Sequence, residues 1–174
     1  QLLTFQDALS VGRVLDELHY YWFEDAIRYT DVDGLIELSR RLDTPIAATD
    51  HGDFRFYEAG EYVERKAIRI LRSDSPKMGI TGLKKLCTLC EAFGLNCEIH
   101  HGGNSLLNAA NLHVMLSVAN CDFYEWLLPS EANQFGLVED IMVDADGYVH
   151  APAKPGLGYD IDWEIVNHVT DRVL

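Results

Sequence analysis

Five short apolar or β-branched runs recur along the chain at residues 20–23, 45–49, 67–73, 96–99 and 123–128. At their C-terminal ends stand Glu24, Asp50, Asp74, His100 and Glu125, separated by 26, 24, 26 and 25 residues. Amphipathic segments fill the intervals at 32–41, 54–65, 82–93 and 105–118, and an earlier one covers 5–18, opened by Thr4 and Asp7 in a capping-box arrangement. Strands alternating with helices of this length predict βα units on a parallel sheet. A βα unit with its loops takes about this much chain, and a closed barrel gathers the C-terminal ends of all its strands at one rim, where catalytic groups collect. An open doubly wound sheet would leave the outermost of the five groups too far apart to cooperate, so the spacing favours a barrel. Any one of these residues, read alone, is equally an N-cap satisfying free backbone N–H groups. The regular recurrence of all five points to a carboxylate-rich mouth.

A chain of 174 residues, 48% of them apolar, can bury one core and is read as a single domain. Its formal charge of −14 excludes nucleic acid as a partner, since no basic stripe is present to displace phosphate counterions. The same charge is compatible with an anionic substrate if a bound divalent cation reverses the local sign. No apolar run approaches the roughly 18 residues of a membrane span, and the first residues lack the character of a signal peptide. Cys87 and Cys90 form a lone C-x-x-C inside a helical pattern, with no second pair to complete a zinc site, which predicts buried thiols and a reducing, cytoplasmic setting.

The strand-end motifs resemble those of the enolase superfamily, in the mandelate racemase/muconate lactonizing enzyme family. Tyr21-Trp22-Phe23-Glu24-Asp25 is similar to the W-[FI]-E-[ED]-P segment after the fourth barrel strand, with Ala26 in place of proline. Thr44-Pro45-Ile46-Ala47-Ala48-Thr49-Asp50 resembles the I-P-[IL]-A-x-G-E segment after the fifth, with Asp50 for glutamate and Asp53 as the fallback ligand. Asp74 through Gly82 resembles D-x(3,4)-G-G-I-T after the sixth strand, one glycine short. Cys97-Glu98-Ile99-His100 matches the seventh-strand histidine segment, Phe123-Tyr124-Glu125 the eighth-strand glutamate, and the stretch from Asp146-Gly147 through Pro155-Gly156-Leu157-Gly158 to Asp162 the family's ending. The Asp74 and His100 pair resembles the mandelate-racemase-type subgroup rather than the lysine-bearing cycloisomerases.

The resemblance implies an α/β fold: the C-terminal part, about five βα units, of a TIM-like modified (β/α)8 barrel. Strands 4 to 8 would occupy residues 1–145, and a tail at 146–174 would return towards a capping domain absent from this chain. An upstream Asp ligand and the first barrel strands are expected outside it, because a closed barrel takes about 250 residues. The implied chemistry is Mg²⁺-dependent abstraction of the proton α to a carboxylate, with a Lys or His base working beside the metal. Glu24 and Asp50 would be metal ligands. His100 would be the base, Asp74 its orienting partner, and Glu125 a hydrogen-bonding or positioning group. His51, His101 and Asn104 are candidates for substrate contact. Adjacent strand residues face opposite ways, so His100 and His101 are not both expected in the mouth.

The expected substrate is a small carboxylate, a sugar acid (aldonate or aldarate) undergoing dehydration, and the expected assembly a homo-oligomer. A racemase, epimerase or cycloisomerase of a 2-hydroxy acid remains the alternative, because the same half-site serves each. A non-catalytic barrel, or a fragment inactive alone, is the reading from another class. A zinc hydrolase would instead show imidazole-rich ligation such as H-x-H.

Overall fold

Four parallel strands make one sheet in the order β1-β2-β3-β4: β1 (Phe23–Glu24), β2 (Ile46–Ala48), β3 (Ile70–Ser73) and β4 (Asn96–Ile99). The structure is a computed structural model that describes residues 3–50, 55–102, 104–132 and 134–171. The helices are α1 (Phe5–Glu17), α2 (Val32–Arg41), α3 (Phe56–Glu64), α4 (Ser75–Ala92), α5 (Ser105–Met115) and α6 (Trp163–Val169). Consecutive strands pair in parallel, as βαβ crossovers require.

The two faces of the sheet differ in chemistry. Ile46, Ala48, Leu71, Cys97 and Ile99 point to the helices and pack with Leu35 and Leu38 of α2, Ala59 and Val63 of α3, and Leu83, Leu86, Cys87 and Cys90 of α4. The alternate positions carry Glu24, Arg72 and Glu98 on the other face, and Arg72 pairs in register with Glu98. A period of two thus sends an apolar set outward and a charged set towards the barrel interior. The two cysteines of the C-x-x-C are buried and unpaired, as expected.

Local signals start the helices where they begin. Thr4 Oγ1 accepts the Asp7 N–H, Asp31 accepts from Gly34, and Asn104 accepts from Leu107, each satisfying a donor with no intrahelical partner. Helix α4 begins seven residues before the periodic segment expected at 82–93. Asp74 caps it through Lys77 N–H at 3.2 Å, Pro76 fits the first turn, and Gly79 takes φ 65 where the helical path breaks.

Residues 123–128 do not form the expected strand. The buried Glu98 carboxylate takes the N–H groups of Asp122 at 3.1 Å and Phe123 at 3.2 Å, donors that a ladder would otherwise use. Within the tail, Val149, Leu157 and Tyr159 pack against Ala109 and Leu112 of α5, and His113 bonds the Leu157 carbonyl. No helix among the described residues is long and apolar enough to cross a membrane.

Candidate active site

Each strand end delivers a side chain to the same mouth, and the backbone there is bent to do so. Asp25 (φ 44) and Thr49 (φ 89) both lie in the left-handed region that non-glycine residues avoid. Thr49 is β-branched and fully buried, and its hydroxyl donates to the Arg72 carbonyl at 2.7 Å. Strain of this kind persists where the surroundings hold it in place, and it gathers at functional sites. Here it occurs immediately before Asp50 and immediately after Glu24.

The Asp74 carboxylate does two jobs. One oxygen caps α4 and the other lies 3.1 Å from His100 Nδ1. The same ring nitrogen is 3.3 Å from Asp50 Oδ1. The hydrogen bond to Asp74 raises the imidazole above its ordinary value, against the effect of burial and with the charges of Asp50 and Glu125 adding to it. Burial alone would lift the Asp74 carboxyl, but His100 and the Lys77 ammonium outweigh it and hold the group below the usual carboxylate range. With Nδ1 engaged, Nε2 is the nitrogen left for chemistry. Gly102 lies against this ring. A Cβ there would sit 2.8 Å from His100 Cε1, so the close approach requires glycine.

Arg72 and Lys77, which the sequence reading did not single out, bring positive charge into the cluster. The Arg72 guanidinium donates to Glu24 at 2.8 Å and to Glu125 at 2.7 Å. Lys77 donates to the Asp50 carboxylate at 2.9 Å and to the Asp50 carbonyl, and lies 3.6 Å from Asp74. Glu125 Oε2 also accepts the His101 backbone N–H at 3.0 Å. Both bonds fall on the same oxygen of Glu125 and fix the orientation of its carboxyl group.

His101 turns away from His100, as adjacent residues in extended chain must. Its ring is 1% exposed and lies 4.0 Å, centroid to centroid, from that of Tyr124, with Nδ1 on the Ile99 carbonyl. Burial pushes its pKa down to about 4. Between pH 6.5 and 4 the unfolded chain therefore binds a proton here that the folded chain does not, and stability falls as pH falls, by up to about 3 kcal/mol. Urea titrations at pH 7 and pH 4.5 should show a smaller acid loss for His101→Gln than for the parent. Equal losses would mean that the ring is not held neutral. Asn104 spends its side-chain oxygen on the α5 cap, and His51 and Asp53 lie outside the described residues.

The donor set suits a hard divalent cation. Glu24, Asp25 and Asp50 each offer a carboxylate oxygen, all within 4.8 Å of one another, and oxygen-only sets of this kind are what Mg²⁺ takes. Asp25 was visible in the sequence as the second acid of the Trp22-Phe23-Glu24-Asp25 run, although only Glu24 was expected to bind. Asp50, Asp74 and His100 form a second close group, but there His100 Nδ1 already points at the carboxylates.

A family model described as enolase C-terminal domain-like matches residues 1–165. The chain belongs to this enolase family. Its parallel arc is the C-terminal part of the family's barrel. Arabinonate dehydratase of Saccharolobus solfataricus is 28% identical over 161 residues, which is 91% of this chain and 42% of the relative. D-mannonate dehydratase of Caulobacter vibrioides is 27% identical over 169 residues, 94% of this chain and 41% of the relative. D-glucarate dehydratase of Agrobacterium tumefaciens, crystallised with magnesium, superposes with a TM-score of 0.85 at 32% identity, covering 96% of this chain and 44% of that one. The chain thus spans about two-fifths of the length of the curated relatives it matches.

Proposed function

We propose that the protein carrying this chain is a Mg²⁺-dependent acid-sugar dehydratase that removes the proton α to a carboxylate and then expels a β-hydroxyl as water. The observation that carries this reading is the Asp74–His100 pair, 3.1 Å apart, set beside the carboxylate group of Glu24, Asp25 and Asp50. Its relatives, named as dehydratases of arabinonate, mannonate and glucarate, favour elimination over racemisation. The completing parts are proposals on the same footing: an upstream Asp ligand, the first barrel strands, a capping domain reached by the tail at 146–174, and a homo-oligomeric, cytoplasmic enzyme. The four unpaired thiols fit a reducing compartment.

A cation held by Glu24 and Asp50, with Asp25 beside them, supplies positive charge that offsets the second negative charge appearing on the substrate when the α-proton leaves. The residues of this chain do the rest. Lys77 bonds Asp50 and must swing aside or remain as a neighbouring donor. His100 Nε2 accepts the α-proton, and the C–H electron pair moves into the carboxylate system. Asp74 fixes the ring and favours its charged form once the proton has arrived. In the elimination those electrons form the Cα–Cβ double bond as the Cβ–O bond breaks, its electron pair leaving with the oxygen. A proton, from His100 or from a group outside this chain, converts the departing hydroxide to water. Glu125, held by Arg72 and the His101 N–H, borders the same space as an acceptor for substrate hydroxyls.

Incubating the full-length protein with a panel of aldonates and aldarates and Mg²⁺ in D₂O tests the reading. A dehydratase yields 2-keto-3-deoxy acids carrying solvent deuterium at the former β-carbon. A racemase or epimerase instead places deuterium on the α-carbon of otherwise intact acids. Neither outcome across the panel would end the proposal. In the same assay Asp74→Asn should turn over at least about tenfold more slowly, because the ring loses its orienting charge and some basicity, with KM changing less.

A further inference from the structure

The proton-transfer scheme gives Arg72 no part beyond holding Glu125, yet its side chain is among the most firmly held in the site. The residue is 3% exposed and issues from β3, inside the sheet. Its Nε meets Glu24 Oε1 at 2.8 Å, a terminal nitrogen meets Glu125 Oε2 at 2.7 Å, and the Trp22 ring lies 5.8 Å from its Cζ. The two partners come from separate segments of the chain. Glu24 ends a two-residue strand at the edge of the described sheet, and Glu125 lies in a segment outside any ladder. A guanidinium presents its donors as a rigid fork, so one planar group can hold two carboxylates at a set separation, a geometry that an ammonium on a flexible stem fixes less well.

The same contact has an electrostatic consequence. Glu24, Asp25 and Asp50 place three carboxylates around one point, and such a cluster attracts any divalent cation strongly. A fixed positive charge on one of the three occupies a ligand oxygen and opposes a second cation nearby. Glu24 Oε2 is also engaged, by Trp22 Nε1 at 3.0 Å, so the orientation of this carboxylate is set from both sides.

We propose that Arg72 is a positioning residue that ties Glu24 to Glu125 across the mouth and, by taking one oxygen of Glu24, holds the affinity of the carboxylate cluster for divalent cations below its unopposed value. This rests on the reading that Glu24 belongs to the cation-binding set.

The test uses the full-length protein with Arg72→Gln and Arg72→Lys, titrated with Mn²⁺ alone and followed by the loss of free-ion paramagnetic resonance signal. Removing the guanidinium should tighten Mn²⁺ binding at least about tenfold in Arg72→Gln, while Arg72→Lys, which keeps the charge, should stay near the parent. A merely structural role would weaken binding or leave it unchanged, so either result in a folded Arg72→Gln overturns the proposal. Should Arg72→Gln fail to fold, Arg72→Lys decides the matter. Its ammonium, on a flexible stem, lacks the rigid fork that fixes the separation of the two carboxylates, so its kcat should fall at least about tenfold with KM changing less, and a parent-like kcat would rule out the clamp. The Mn²⁺ comparison needs no substrate, so it remains readable even if the dehydratase reading fails.

Discussion

His100→Asn should lower the turnover of the full-length enzyme by at least about a hundredfold, the usual scale for losing a positioned general base. Asparagine keeps a polar group of similar reach but cannot accept the α-proton. Nδ1 of His100 is committed to Asp74 at 3.1 Å, with Asp50 next to it, so only Nε2 is available for the transfer. The wash-out of α-deuterium from a labelled substrate should disappear along with product formation, since both follow from the same proton removal. KM should move far less than kcat, because ground-state contacts to the substrate carboxylate do not run through this ring. The control is His101→Asn, which alters a buried ring facing Tyr124 and should retain exchange wherever the protein folds. If His101→Asn abolished exchange while His100→Asn retained it, the roles of the two histidines would have to be reversed.

Glu24→Gln should weaken Mg²⁺ binding at least about tenfold in calorimetric titration of the full-length protein. Loss of groups that merely orient a metal's ligands already costs that much. The substitution removes a charge from the Glu24, Asp25 and Asp50 group while leaving an oxygen that can still accept from Arg72. Folding should therefore suffer less than affinity. Undiminished affinity in the variant would remove Glu24 from the ligand set and leave Asp25 and Asp50 as the carboxylates to examine.

The residues that sequence reasoning located best were those with strong local signals. Asp74 stands at a helix start and His100 follows a strand that alternates apolar and polar residues, so their joint arrival at one rim follows from the βα rhythm. The opposed facing of His100 and His101 follows from the pleat alone. Arg72 was missed because attention to strand ends passes over a residue two positions earlier, and a buried guanidinium has no periodicity of its own to announce it. Lys77 sits inside the stretch from Asp74 to Gly82, and nothing in its spacing shows that it folds back over Asp50. The run at 123–128 was read as a strand because its apolar content fits one. At the start of that run the Glu98 carboxylate takes the Asp122 and Phe123 amides, and no propensity argument sees a carboxylate competing for another segment's N–H groups.

The double duty of Asp74 sets apart what two kinds of selection would accept at that position. Asparagine caps a helix about as well as aspartate but gives up the ion pairs to Lys77 and His100, so a library screened only for thermal survival should pass Asn at 74 at a partial cost. Screened for growth on the substrate, the same library should reject it, because the amide cannot supply the charge that His100 needs. Serine or threonine should behave in the same way, satisfying the Lys77 N–H while leaving the imidazole without its anion. A residue whose structural and chemical demands diverge at a single atom change is thus a position where the ancestry of stability and the ancestry of activity can be read separately.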